Sequence, residues 1–332
     1  MKKQLYQKET YKTKKTVIII AVVLVVIGLL LFLGVCIATK SDFSKLNTVI
    51  YETNTYTADK DFRNIEINVT ETDILFKPST DRNCSVVCVE SDKLKHSVSV
   101  EKETLHIIVD DRRNWYDHIT IFSKSLSMTV YLPSEKYELL KINNQTGNIT
   151  IPDLFSFDNV DITASTGDID CNASVKENFR GKTSTGAIQL DKMQAGNIDL
   201  SVSTGNISMS SVICKDTISA KVSTGKIILT DVTCQNFTST GSTGNVTMKN
   251  TIASDKFNVE RSTGNIHFEN CDANQIDIKT STGDVDGTLN SEKIFVTKTS
   301  TGTVHVPETI SGGKCEITTS TGDIQINLSV KE

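Results

Sequence analysis

Residues 203–229 read STGNISMSSVICKDTISAKVSTGKIIL, and two identical corners, at Gly205 and Gly225, frame a stretch that is largely apolar at every second position. After the first corner Ile207 and Met209 alternate with Asn206 and Ser208; before the second, Ile218, Ala220 and Val222 alternate with Ser219 and Lys221. A period of two is that of a strand with one buried face. The same frame fills the C-terminal part of the chain. Ser-Thr-Gly, once varied to Gln-Thr-Gly, returns with its glycine at Gly147, Gly167, Gly186, Gly205, Gly225, Gly244, Gly264, Gly283, Gly302 and Gly322, always 19 or 20 residues apart. A fixed period of that size is the mark of a solenoid, in which each unit buries its apolar face only against its neighbours.

Aligned on these glycines, the units predict two strands each. Two residues after the corner stand Ile149, Ile169, Ile188, Ile207, Ile227, Val246, Ile266, Val285, Val304 and Ile324, a column of β-branched residues expected to point inward. Seven residues before the next corner Val160, Phe179, Ile198, Ile218, Phe237, Phe257, Ile276, Phe295 and Cys315 form the opposing wall. Thr-Gly makes the corner because glycine takes a positive φ without steric cost and hydroxyls satisfy turn amides. The Asp or Asn that often follows the glycine is expected to serve this turn, since the GGxGxD pattern of a calcium roll is absent. The prediction is an all-β parallel β-solenoid of about ten coils over residues 141–332, roughly 48 Å long at about 4.8 Å per coil. The last unit, GDIQINLSVKE, ends within a strand and offers no polar cap against self-association.

Ahead of the repeat, residues 16–38 (TVIIIAVVLVVIGLLLFLGVCIA) carry no charge and are long enough, at about 1.5 Å per residue, to cross a bilayer core of roughly 30 Å. Six lysines precede this segment within residues 1–15 and Lys40 follows it, so the positive-inside bias puts a short basic tail in the cytoplasm and the rest outside. A cleaved secretory signal is the competing reading, but its apolar region runs to only about 7–15 residues. Cleavage of a lipoprotein before Cys36 would need a small residue where Val35 stands. Residues 39–60 read as a polar stalk or linker. Residues 61–140 alternate without the Ser-Thr-Gly corner and read as a β-rich N-terminal cap, with Ile67–Leu75 a degenerate coil.

Of the 35 basic and 40 acidic residues, six Lys and one Glu lie in the first fifteen positions, leaving 29 against 39 beyond them. That acidic balance excludes a nucleic-acid binder, which needs clustered Lys and Arg.

Residues 62–75 (FRNIEINVTETDIL), residues 127–149 (SMTVYLPSEKYELLKINNQTGNI) and the STGDI and STGNI units after them resemble the bacterial DUF4097 family of adhesin-like β-repeat proteins. The resemblance covers nearly all of the chain beyond the apolar segment. It implies a β-strand repeat domain, often tethered to a bacterial envelope, and carries no established functional residues.

The chemistry-bearing residues point away from catalysis. Cys84 and Cys88 share one strand face, too extended for an easy disulfide; Cys171 and Cys315 sit in inward columns as small hydrophobes. Cys214 and Cys234 stack in successive coils, where a disulfide is open. No CxxC pair or Cys/His cluster suggests zinc, and no two of His96, His106, His118, His267 and His305 take equivalent positions in adjacent coils. Asp168 with Asp170 and Asp284 with Asp286 are outward carboxylate pairs, the arrangement that sugar-cleaving solenoids use, but the two pairs lie six coils apart and read as solvated surface. Trp115, in the loop DDRRNWYDH, is a loop packing residue or an aromatic anchor. No enzyme, cofactor or metal site is therefore expected. The expected function is a single-pass, extracellular, adhesin-like binding module for an envelope protein or polysaccharide. Alternatives are a self-associating envelope scaffold and an envelope-stress sensor working through a membrane partner.

Overall fold

The computed structural model describes residues 2–39, 50–80, 83–114 and 126–329. Trp115 and His118 lie outside them. Two compact units are present.

In the first unit an α-helix runs over Lys2–Thr39. Its stretch Thr16–Ala38 has a mean hydropathy of 3.4, and by length and composition it is able to cross a membrane.

The second unit is the predicted all-β parallel solenoid. The residues two after each corner stack in register from Ile149 through Ile169, Ile188, Ile207, Ile227, Val246, Ile266 and Val285. All of these are fully buried. The wall from Val160 to Ile276 stacks in the same way. Each coil nevertheless has a further short side that the two-strand reading missed. In the Gly205 coil it is Ile213–Cys214, set between Ile207–Ser210 and Thr217–Thr224. In the coils of Gly186 to Gly264 its inward residues, Ala195, Cys214, Cys234, Ala253 and Ala273, are small and buried, where the two coils before them have Phe157 and Val175. The turn that leads into it has a residue in the left-handed region six after the glycine in five successive coils: Lys192, Ser211, Asp231, Asn250 and Asn270, with φ of 48–55°.

The glycine corner is where the coils are locked. All ten repeat glycines have φ between 129° and 152°. Nine of the ten N–H groups donate to the Thr carbonyl of the adjacent coil, as from Gly205 to Thr224 at 3.0 Å and from Gly225 to Thr243 at 2.9 Å. On the other side the glycine carbonyl of the preceding coil lies so close that an added Cβ would stand 1.8 Å from it at Gly225. Glycine is thus required twice over, by conformation and by space.

The ends of the stack depart from sequence order. Strand β1 (Tyr51–Ala58) is followed by β2 (Asn64–Pro78), β3 (Cys84–Ser91), β4 (Leu94–Glu101), β5 (Thr104–Asp111), β6 (Leu126–Leu132), β7 (Lys136–Thr146) and β8 (Ile149–Ile151). β2 is indeed a coil without the glycine corner, with Ile74 stacked on Ile149. Its other neighbours are the later strands β5 and β6, so the first coil in the chain is second in space. Antiparallel strands finish this end: β3 pairs with β6, β4 with β5 and β1 with β3. Part of the expected linker, Tyr51–Ala58, is therefore an edge strand. Its apolar content is low (YETNTYTA), which is why alternation did not reveal it.

The C-terminal end mirrors this. Val285 and Ile276 pair with Ile324 and Cys315 of the last coil, and that coil pairs in turn with Val304 and Phe295 of the one before it in sequence. The Gly322 coil is thus threaded between those of Gly283 and Gly302. Val304, expected inward like the rest of its column, lies in the outermost coil and is 40% exposed. The uncapped last unit is an interior coil.

A buried charge interrupts one inward column of the solenoid. Arg261 takes an inward position three before Gly264, 3% exposed, beside the side-chain-free Gly241. Its Nη2 donates to Ser239 Oγ at 2.9 Å, while Nε and Nη1 have no hydrogen-bond partner among the described residues. Burial lowers its pKa to about 10. Uncompensated buried charge is destabilising, so Arg261→Met should raise the melting temperature of the β unit, by about 1–4 kcal/mol of stability. Gly225→Ala should lower it by about 4–8 °C, the equivalent of roughly 2 kcal/mol of strain. Thermal unfolding followed by circular dichroism reads both.

Candidate functional site

Three features combine polar chemistry with defined geometry: the outer faces of the coils, a groove at the last coil, and a buried cluster in the N-terminal cap.

Outward side chains stack because inward ones do. Asn148, Asp168, Asn206, Asn245, Asn265, Asp284 and Asp323 follow glycines, and each accepts through Oδ1 from the backbone N–H at the same place in an adjacent coil, at 2.7–3.1 Å. The expected turn role is therefore exercised between coils, and Asp73 of β2 starts the ladder on Asn148 N at 2.8 Å. A second ladder runs along the long strands, where Asn178 Nδ2 donates to Asn159 Oδ1 at 2.9 Å and Asn197 Nδ2 to Asn178 Oδ1 at 3.3 Å. The outward column three after the corner holds Thr150, Asp170, Gln189, Ser208, Ile228, Thr247, His267, Asp286, Gln325 and His305 in register. The result is a surface of regularly spaced donors and acceptors.

The four outward carboxylates do not assemble into a pair of acids facing one substrate. Asp168 and Asp284 belong to the corner ladder. Asp286 Oδ2 lies 2.6 Å from His267 Nδ1 of the adjacent coil, both half-exposed. Partial burial raises the pKa of Asp170, aided by the nearby charge of Asp191 and opposed by a hydrogen bond with Asn172.

Beside the last coil, Phe295, Val304, Val306, Pro307, Glu308 and Ile326 help to line an open groove of about 860 Å³. It exists because the Gly302 coil is outermost.

The cap holds a cluster that the sequence reading missed. Cys88 and Glu90 project from one face of β3, and His96 enters from β4 across a tight turn. One donor atom from each lies within 4.8 Å of the others, and all three residues are buried. Glu90 Oε1 accepts from the His96 backbone N–H at 2.7 Å and lies 2.8 Å from His96 Nδ1. Asn54 Nδ2 donates to Oε2 at 2.7 Å, and Tyr56 Oη donates at 3.0 Å. Burial pushes the Glu90 carboxyl up, but these hydrogen bonds outweigh it and hold the group below its ordinary value, as the anion. Burial lowers the His96 pKa against the pull of Glu90. The signal was a Cys-x-Glu with a histidine six residues on, visible only once β3 and β4 are known to form a hairpin.

All eight cysteines are free thiols, Cys214 and Cys234 included. Burial pushes Cys84, Cys88, Cys171, Cys234 and Cys315 up to about 12 and Cys271 to about 11. A thiol that stays protonated and enclosed is a poor nucleophile.

A family model described as Toastrack DUF4097 matches residues 62–217 and 213–332. No curated protein matches the chain. Among solved structures, a protein from Parabacteroides distasonis described as a "putative adhesin" is 11% identical with a TM-score of 0.48, the match covering 84% of this chain and 98% of that one. A "putative lipid binding protein" from the same organism is 16% identical with a TM-score of 0.45, covering 71% of this chain and 94% of that one. A "putative adhesin" from Bacteroides fragilis is 14% identical with a TM-score of 0.39, covering 84% and 97%. Likeness at this level carries no functional argument.

The thiol environments make a direct prediction. At pH 8 the seven cysteines of the β unit should resist a soluble aromatic disulfide reagent in the folded chain and react within minutes in denaturant.

Proposed function

We propose, from the premise that this chain belongs to the Toastrack DUF4097 family, that it is a non-catalytic envelope-binding module. On this reading the helix over 16–38 anchors the protein in the cell membrane with its N-terminus in the cytoplasm, and the solenoid stands outside. The observation that carries the reading is the division of labour in each coil. Apolar side chains fill the interior, while Asn, Asp, Ser, Thr and Gln repeat outward at the coil spacing. Such a surface recognises an extended, repetitive ligand by many equivalent hydrogen bonds, each worth about 1 kcal/mol, so that affinity grows with the number of coils engaged. A cell-wall polysaccharide or an extended envelope protein has that character.

The test uses the full chain in detergent, titrated against isolated wall and solubilised envelope. Saturable binding that weakens when the outward column is changed, as in Gln189→Ala with Thr247→Ala, supports the module; its absence from both fractions removes it. In intact cells an impermeant amine-reactive biotin should label the β unit and spare a tag at the N-terminus. The reverse pattern overturns the orientation.

A second reading, a self-associating scaffold, is favoured by one feature. Ile294 and Val296, each 48% exposed, and Val304 lie on the outermost coil, whose strand Lys293–Lys298 pairs on one side alone among the described residues. Light scattering that shows mass growing with concentration, abolished by Val296→Lys, would favour this reading over the first.

A further inference from the structure

We infer that Cys88, Glu90 and His96 form a site for one thiophilic divalent cation of the Zn2+ type, which ties the antiparallel cap together. Three observations converge on it. The first is the donor set: a sulfur, a carboxylate oxygen and a ring nitrogen within 4.8 Å of one another. Zn2+ takes these atoms at about 2.0–2.3 Å, which sets neighbouring ligands roughly 3.3–3.8 Å apart, so side-chain adjustment of about an ångström closes the site.

The second is the histidine. Its Nδ1 lies 2.8 Å from Glu90 Oε1, so a cation shared with Glu90 would be taken through Nδ1, with the ring proton on Nε2, which is buried and has no hydrogen-bond partner among the described residues.

The third is charge. Both side chains of the Glu90–His96 pair are fully buried, and among the described residues the only ion-pair partner of Glu90 is the His96 ring. A dication bound with the Cys88 thiolate cancels the carboxylate and thiolate charges together. The balance is simple: the metal binds the Glu90 carboxylate and the lone pair of His96 Nδ1, the ring proton standing on Nε2, and displaces one proton from the Cys88 thiol to solvent. Each ligand lies on the β3–β4 hairpin, and Asn54 and Tyr56 of β1 hold Glu90 from the other side. The ion would therefore fasten β1, β3 and β4 at the N-terminal end of the stack.

The full chain in detergent, stripped with chelator, is titrated with Co2+. The expected result is a near-ultraviolet thiolate-to-cobalt charge-transfer band that saturates at one equivalent. Zn2+ should displace it and, at about a hundredfold over its Kd, raise the melting temperature by about 5–10 °C. The band should vanish in Cys88→Ser, fall sharply in His96→Phe, and persist in Cys234→Ala. X-ray absorption of the wild-type zinc complex should show one sulfur ligand, a readout that stands even if a variant fails to fold. A folded wild-type chain that gives neither band nor thermal shift, a band that survives Cys88→Ser, or a zinc shell without sulfur overturns the assignment.

Discussion

At each corner a backbone carbonyl of one coil lies where a Cβ of the next would sit, 1.8–2.3 Å away, and nine of the ten glycines also donate their N–H to the coil on the opposite side. This contact sets how closely coils approach on one edge, and the rest of the β unit follows from it. Strands held at ladder spacing bring equal positions of successive coils into contact, so a single choice of residue is repeated along the stack. Inward, that choice gives columns of Ile, Val and Phe. Outward, it gives Asn and Asp side chains whose Oδ1 atoms reach the next backbone N–H. Where the inward residue three before the glycine is Thr, as at Thr183, Thr280, Thr299 and Thr319, its hydroxyl adds a hydrogen bond to the glycine carbonyl next door.

Much of this was legible in the sequence because a solenoid writes its contacts into a period. Ile207 and Ile227 touch because they are one repeat apart, and no long-range information is needed to say so. The short side through Cys214 was missed because its inward residues are small and it is only two residues long in that coil. The stacking order at the ends was illegible for a deeper reason. All corners share one chemistry, so the period says that the Gly322 coil fits on a neighbour without saying which. The cap is different again. Its antiparallel hairpin brings Cys88 and Glu90 against His96, and β1 contributes Asn54 and Tyr56 from more than thirty residues away. No periodicity encodes such a meeting.

The two unusual buried polar groups stand in contrast. Arg261 breaks an inward column, finds one hydroxyl and leaves two of its nitrogens unmet. Glu90 is surrounded by donors on two further strands and retains its charge. The first is a local flaw that the other coils tolerate, because each coil contacts only its neighbours and the cost stays confined. The second organises its surroundings, since withdrawing any one donor leaves an anion underbonded in the interior.

The interleaved ends bear on how the molecule is made. During synthesis the Gly302 coil leaves the ribosome before the Gly322 coil, and the Gly283 coil offers it a surface with the same corner and the same apolar columns. Docking there would give a stack in which every adjacent pair is satisfied and the last twenty residues are stranded at the end. The native order requires that contact to be refused or undone, so that the final coil slides into the gap. A chain assembled from interchangeable parts thus gains a kinetic decision at its end, one that a strictly sequential solenoid would never face.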